Sequence, residues 1–388
     1  MSQYANWSFP TAVRFGAGRI AELPEACRSL GLSHPLLVTD PGIAKLPFLR
    51  EVIDHCAADG LELAVFSDIK GNPSESNVRD GIAALIEGGH DSVIALGGGS
   101  ALDVGKVIAF MAGQTRPMWD FEDVGDWWTR ANPESILPII AIPTTAGTGS
   151  EVGRAGVIGR DDTGEKKVIF HPKMMPSIVI SDPELSVGLP PALTAWTGMD
   201  ALAHCVEALC APGFHPMTDG IAVEGIRLVK TYLPRAFADG TDIEARSGML
   251  AAASMGATAF QKGLGAVHAL SHPVGAVHDT HHGLTNAVIL PYVMAFNRSK
   301  IDARMRQLAG YLELPDPSFD SVLDWVIKLR RELEIPHDLE ELGVDGSRFD
   351  TLAEMALIDP TAAGNPVTLT KANCIELYET CHQGNLPP

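Results

Sequence analysis

The chain has 388 residues, 46% of them apolar and 20% charged, with a formal net charge of −19. That composition argues against a mainly disordered chain, and the negative charge opposes nonspecific binding to nucleic acid or an anionic membrane, which need a basic surface. At roughly 100–200 residues per domain, the length accommodates two domains.

In chain order, the first ten residues (MSQYANWSFP) lack the basic and apolar segments of a secretion signal. A short strand is expected over 11–15. Residues 16–21 (GAGRIA) read as a GxGxxA turn, with Asp40 roughly 20 residues further on, the spacing of a dinucleotide-binding βαβ unit. Apolar runs at 35–39 (PLLVT), 63–66 (LAVF), 92–96 (SVIAL), 137–142 (LPIIAI) and 177–180 (SIVI) predict buried strands. Helical patterns at 21–30, 48–58, 76–87 and 101–112 fall between them. Such alternation implies a parallel sheet with crossover helices. The acidic, aromatic stretch 119–128 (WDFEDVGDWW) has no period and predicts a surface loop. Prolines in 182–191 (DPELSVGLPP) mark a boundary, beyond which Ala, Leu, Met and Gly at helical spacing predict an all-helical domain. The expected division is an α/β nucleotide-binding domain, 1–187, and a helical domain, 188–388. Cys27, Cys56, Cys205, Cys210, Cys374 and Cys381 form no CxxC pair, which argues against a thiolate zinc site and suits reduced thiols in a cytoplasmic protein. No apolar run approaches the roughly 20 residues a membrane span needs.

Two further loops invite phosphate. Gly97, Gly98, Gly99 and Ser100 follow a buried strand and open a helix, so bare backbone and free N–H groups would face a pyrophosphate. Asp103 in the first turn suits the positive end of that helix. Residues 143–151 (PTTAGTGSE) follow another strand and offer hydroxyls and glycines for phosphate, ribose or nicotinamide. Asp40 ends the PLLVT strand, where a carboxylate would accept the ribose hydroxyls and repel a 2′-phosphate, favouring NAD over NADP.

Histidines concentrate downstream: His268, His272, His278, His281 and His282 account for five of the thirteen. Asp200 and His204 are one helical turn apart in an apolar segment, 197–210, and so share a face. Buried, they need a partner, either each other in a satisfied core pair or a cation. His268 and His272 repeat the spacing, and His282 stands at the start of a helix expected over 284–295. One carboxylate with three imidazoles suits a divalent transition metal; Ca²⁺ or Mg²⁺ would require mostly oxygen. His278 and His281 also read as plain loop histidines.

Taken together, residues 97–106 (GGGSALDVGK), 143–152 (PTTAGTGSEV), 182–191, 198–207 (GMDALAHCVE), 265–275 (GAVHALSHPVG) and 282–291 (HGLTNAVILP) resemble the iron-containing (group III) alcohol dehydrogenases, most closely the lactaldehyde reductase-like branch. The resemblance covers nearly the whole chain. It implies an α/β domain, a helical domain and a metal in a cleft between them. The implied ligands are Asp200, His204, His268 and His282, with Fe²⁺ expected and Zn²⁺ compatible. His272 would lie beside the metal without ligating and would relay a proton. The pyrophosphate would rest on residues 97–100 rather than 16–21. Asp40 would keep the ribose, and Asn72, Thr144, Thr145, Thr148 and Lys166 would contact the cofactor. Phe260 would wall the substrate pocket. Ala155 departs from an Asn of some members, and His281 from a Pro. The expected reaction is hydride transfer between nicotinamide and a small alcohol or aldehyde, by a homodimer paired through the strand around 7–15. A hydroxyacid–oxoacid transhydrogenase, a dehydroquinate synthase-like lyase and a non-catalytic metal-binding protein are the alternatives.

Overall fold

The computed structural model describes residues 11–386. Residues 1–10 and 387–388 lie outside the described residues, and with them part of the expected pairing strand, 7–10. Two compact units emerge: one of residues 11–145 with Gly149–Gly188, the other of residues 189–386 with Ala146–Thr148.

In the first unit β1 (Ala12–Phe15), β2 (Pro35–Val38), β3 (Ala64–Phe66), β4 (Ser92–Gly97), β5 (Ile139–Pro143), β6 (Ala155–Gly159), β7 (Lys166–Phe170) and β8 (Ile178–Ser181) alternate with α1 (Leu23–Ser29), α2 (Pro47–Ala58), α3 (Glu75–Glu87) and α4 (Gly99–Met111). Six strands form one sheet in the order β1-β8-β5-β4-β2-β3, and every pairing in it is parallel. β2, β4, β5 and β8 are buried along their whole length, as expected of parallel strands covered on both faces by crossover helices. Leu37, Ile94, Ile140 and Ile180 from the sheet pack with Leu23, Cys27, Leu49 and Cys56 from α1 and α2. From β2 the chain runs outward to β3, then returns to place β4 on the other side of β2. The order reverses between β2 and β4, and in open α/β sheets ligands bind beyond the carboxyl ends of the strands at such a point.

The antiparallel hairpin β6–β7 was not legible, because its strands are short, half exposed and interrupted by glycine. The stretch 119–128 is only partly the expected surface loop. It forms two 3-10 turns, Met118–Phe121 and Trp127–Arg130. Phe121 is fully buried edge-on against Phe110 at 5.0 Å.

The second unit consists of α5 (Pro191–Cys210), α6 (Pro216–Ala238), α7 (Ile243–Ala259), α8 (Ala266–His278), α9 (His282–Tyr311), α10 (Phe319–Glu332), α11 (Phe349–Ile358) and α12 (Lys371–Gln383). α5 begins with proline in its first turn, where a missing N–H costs nothing. It is apolar on almost every side and packs Met199, Leu202 and Val206 into a core with Ile226, Val229, Val288 and Tyr292. α9 continues sixteen residues beyond the expected end at 295. Its first half is buried all round, and its second half keeps only one apolar face, on Ile301, Met305 and Leu308. All six cysteines are free and buried, and burial pushes the Cys27 and Cys205 thiols up to about 12. Among the described residues no helix is long and apolar enough to cross a membrane.

Candidate functional site

Three helices of the second unit bring four side chains to one point. Asp200 and His204 lie one turn apart on α5, His268 stands in the first turn of α8, and His282 opens α9. Asp200 Oδ1 is 3.8 Å from His204 Nε2, 3.8 Å from His268 Nε2 and 3.6 Å from His282 Nε2. The rings of His204 and His268 stack at 4.8 Å. Asp200, His204 and His268 are buried, and His282 is half-buried, its side chain 29% exposed.

These donors fit a metal ion. Ligands about 2.0–2.2 Å from one tetrahedral zinc or iron centre stand roughly 3.3–3.6 Å apart; the separations from Asp200 Oδ1 are close to that, and the ligand atoms of Asp200, His204 and His268 all lie within 4.8 Å of one another. The amide of Asn286, one turn along α9 from His282, makes the point sharper. Its Nδ2 donates to Asp200 Oδ1 at 2.7 Å and lies 3.2 and 3.1 Å from Nε2 of His268 and His282. Two amide protons face three acceptors, while the amide Oδ1 is buried without a hydrogen-bond partner. Surplus lone pairs converging in a buried place are what a cation requires.

The electrostatics favour a charged Asp200 and a neutral His204. Burial disfavours an ionised Asp200, but the three imidazoles and the Asn286 amide outweigh it and draw its pKa to about 2. Burial lowers His204 to about 4 despite Asp200, leaving a neutral ring with lone pairs to give. For His268 burial again favours the neutral ring, yet the charge and hydrogen bond of Glu207 prevail and its pKa is raised.

His272, one turn past His268, does not join the four. Its Nδ1 is 2.8 Å from Asp359 Oδ2, and its ring stacks on His282 at 5.3 Å. Asp359 is held by the backbone N–H of Thr361 at 2.9 Å and its hydroxyl at 2.5 Å. Burial works against the Asp359 carboxylate, but the His272 hydrogen bond keeps its pKa below the ordinary value. Phe260 lies edge-on to His204 at 5.2 Å, and His281 packs on Trp196 at 4.9 Å.

The first unit gathers most of the expected cofactor residues at the carboxyl end of its sheet. Asp40 follows β2, and its Oδ1 accepts the backbone N–H groups of Gly42 and Ile43 at 2.8 and 3.0 Å. A Cβ on Gly97 would lie 2.7 Å from the Ala101 Cβ and 3.5 Å from Asp40 Oδ2, and Gly97 has φ +150°. Glycine is therefore required there by both crowding and conformation. Gly98 caps α4, and Gly99 and Ser100 begin it. Ser100 Oγ donates to the Gly71 carbonyl at 2.5 Å, and Lys166 Nζ to Asn72 Oδ1 at 2.9 Å. Thr144 N donates to the Gly97 carbonyl at 3.0 Å, and a Cβ on Gly98 would touch the Thr145 methyl at 3.4 Å. Thr148 instead belongs to the second unit.

Asp103, expected at the cofactor loop in the first turn of α4, is engaged on both oxygens. Its Oδ1 accepts from Ser150 Oγ, its Oδ2 accepts from Val157 N at 2.9 Å, and buried Lys106 lies 3.3 Å away. It braces the connection between β5 and β6. The mechanical fingerprint at 16–21 is also occupied: the Asp182 carboxylate accepts the N–H groups of Gly18 and Ile20 at 3.2 and 2.9 Å. An internal anion fills the turn where a phosphate would sit.

Glu207, Asn286 and Asp359 were not singled out from sequence. Glu207 and Asn286 carry a usable signal, each a polar residue three or four positions after a candidate ligand on an apolar helix face. Asp359 carries none, since 87 residues separate it from His272.

Comparison with known proteins agrees with this architecture. Residues 10–183 match the iron-containing alcohol dehydrogenase family, and residues 194–382 match the C-terminal part of the Fe-containing alcohol dehydrogenase family. The 4-hydroxybutyrate dehydrogenase of Cupriavidus necator is 38% identical, the match covering 95% of this chain and 97% of that one. A crystal structure of 1,3-propanediol oxidoreductase superposes with a TM-score of 0.92 at 34% identity, covering 97% of this chain and 99% of that one. Sulfoacetaldehyde reductase from Bifidobacterium kashiwanohense, solved in complex with NAD⁺, gives 0.89 at 30% identity over 98% and 99%. The chain belongs to the iron-containing alcohol dehydrogenase family. It is an oxidoreductase of the alcohol dehydrogenase type.

Proposed function

We propose that the chain interconverts a short primary alcohol, diol or hydroxyacid and its aldehyde, using NAD and a divalent metal held by Asp200, His204, His268 and His282. The observation that carries this reading is the convergence of three imidazole Nε2 atoms on Asp200 Oδ1 within 3.6–3.8 Å. A metal held there would supply Lewis acidity to the substrate oxygen, and the dinucleotide would accept or give the hydride. Fe²⁺ is the first choice on family grounds, and the same ligands accept Zn²⁺.

The chain's own residues do the rest. Asp359 accepts the Nδ1 proton of His272, which leaves His272 Nε2 free to take the hydroxyl proton of an alcohol and to return it to an aldehyde. Phe260 gives the substrate an apolar wall beside His204. Gly97, Gly98, Gly99 and Ser100 offer backbone to a pyrophosphate, with Thr144, Thr145, Thr148, Asn72 and Lys166 around the dinucleotide and Asp103 bracing the loop. Asp40, beside Gly97, favours a ribose diol over a 2′-phosphate and so NAD over NADP. The relatives named for 4-hydroxybutyrate and 1,3-propanediol support a short substrate with a second polar end.

The test is a reductase screen of short aldehydes, followed at 340 nm with NADH and NADPH after anaerobic reconstitution with Fe²⁺ or Zn²⁺. His268→Ala should lose metal and turnover together. Full turnover without metal would contradict the assignment, and oxoacid-dependent turnover without added dinucleotide would favour a transhydrogenase.

A further inference from the structure

Glu207 lies on α5, three residues past His204, and is 6% exposed. A carboxylate buried among apolar side chains needs a reason. Both its oxygens are engaged, and both engagements lead to one ligand. Oε1 accepts the backbone N–H of Val267 at 2.7 Å, and Oε2 pairs with Nδ1 of His268.

The first of these contacts answers a backbone problem. The N–H groups of a helix's first turn have no acceptor within the helix, and α8 starts from Gly265, which has no side chain to cap it. The caps arrive from other helices and loops. Asn365 Oδ1 accepts from Ala266 N at 3.1 Å, and Asn365 is fixed by reciprocal 2.8 Å hydrogen bonds with Asn297. A Cβ on Gly265 would stand 2.9 Å from Asn365 Oδ1 and 3.2 Å from Glu207 Oε1, so glycine is needed for both caps to come close. An ionised carboxylate at this helix end is also favoured by the helix dipole.

The second contact sets chemistry. An ionised carboxylate only accepts, so His268 Nδ1 carries a proton, and in the neutral ring Nε2, 3.8 Å from Asp200 Oδ1, keeps the lone pair. We propose that Glu207 is a positioning residue of the metal centre, fixing at once the start of α8 and the tautomer and orientation of His268; this rests on the reading of Asp200, His204, His268 and His282 as metal ligands. Outer partners of ligating imidazoles act in this way, and their loss weakens metal binding about 10- to 100-fold.

Glu207→Gln separates the two duties. Glutamine keeps an oxygen for Val267 N, so the cap survives. Its NH₂ group then faces His268 Nδ1 and requires a lone pair there, which moves the ring proton to Nε2 and removes the metal donor. Zn²⁺ is titrated into the metal-free full chain, without dinucleotide or substrate, in competition with a chromophoric chelator. The parent should bind one Zn²⁺, and Glu207→Gln should bind it about 10- to 100-fold more weakly while still melting cooperatively without metal. Equal affinities in the two proteins overturn the role of Glu207. A parent that binds no Zn²⁺ overturns the ligand assignment itself, a different failure. If Glu207→Gln does not fold, ¹⁵N-histidine NMR of the Zn²⁺-loaded parent decides. The His268 signal, identified by its loss in His268→Gln, should show a protonated Nδ1 and an unprotonated Nε2, and the reverse pattern overturns the proposal.

Discussion

Asp40 does two things with one carboxylate. Its Oδ1 closes an Asx turn on Gly42 and Ile43, and its Oδ2 faces the Cα of Gly97. A turn-forming and a ribose-binding Asp are thus compatible at this position. Asp40→Ser retains a turn former and removes the charge, so the ratio of kcat/KM for NADPH over NADH should rise at least about 10-fold, or ~1.4 kcal/mol. An unchanged ratio in steady-state assays would place the ribose elsewhere. Asp359 gives a prediction in pH. Its pKa is lowered in the folded chain, so its stabilising effect is complete above the ordinary carboxylate value of about 3.9 and fades as pH falls toward the folded value. Thermal melts of Asp359→Asn should fall furthest below the parent near neutral pH, and the gap should narrow below about pH 4. The candidate ligands were legible from spacing and residue type. Glu207 and Asn286 were missed because a buried polar residue in an apolar helix declares only that it has a partner, and the partner is set by how helices meet; Asp359, just past the end of α11, meets His272 only through the fold.

The elements that carry the site are ordinary in sequence where they are most constrained in space. α5 reads as an apolar helix whose ionisable interruptions are Asp200, His204 and Glu207, and all three face the candidate site. Its stability comes from residues such as Leu202, fully buried in the helical core. Leu202→Ala should cost about 2–5 kcal/mol in urea unfolding through transfer and cavity terms, and a cost under about 1 kcal/mol would show that this face is not packed as described. In the sheet, the β-branched runs made five strands legible to within a residue or two. The hairpin β6–β7 escaped because glycines and lysines mask its period. The competing GxGxxA fingerprint at 16–21 failed for a reason that no local pattern contains: Asp182, more than 160 residues away in sequence, supplies its anion. The reversal of strand order between β2 and β4 explains why the loops carrying Asp40 and Gly97 were the informative ones.

On the scale of the whole molecule, the two halves of the chemistry are built separately. The proposed metal ligands all belong to the helical unit, and Asp40 and Gly97–Ser100 all belong to the α/β unit. Metal binding should therefore be measurable without dinucleotide, and it should stabilise the folded chain by mass action. At a free metal concentration about 100 times Kd the gain is ~2.7 kcal/mol, which raises Tm by about 5–10 °C for a unit of this size. Calorimetry with Zn²⁺ and with a chelator checks this, and superimposable melts would deny the coupling. The net charge of −19 opposes binding to nucleic acid on electrostatic grounds. The decisive measurement is anomalous diffraction at the Fe or Zn edge from crystals grown after metal reconstitution. The expected result is one strong peak about 2.0–2.2 Å from Asp200 and from Nε2 of His204, His268 and His282. A peak held by other residues, or none in a reconstituted and active enzyme, would contradict the shared-cation reading.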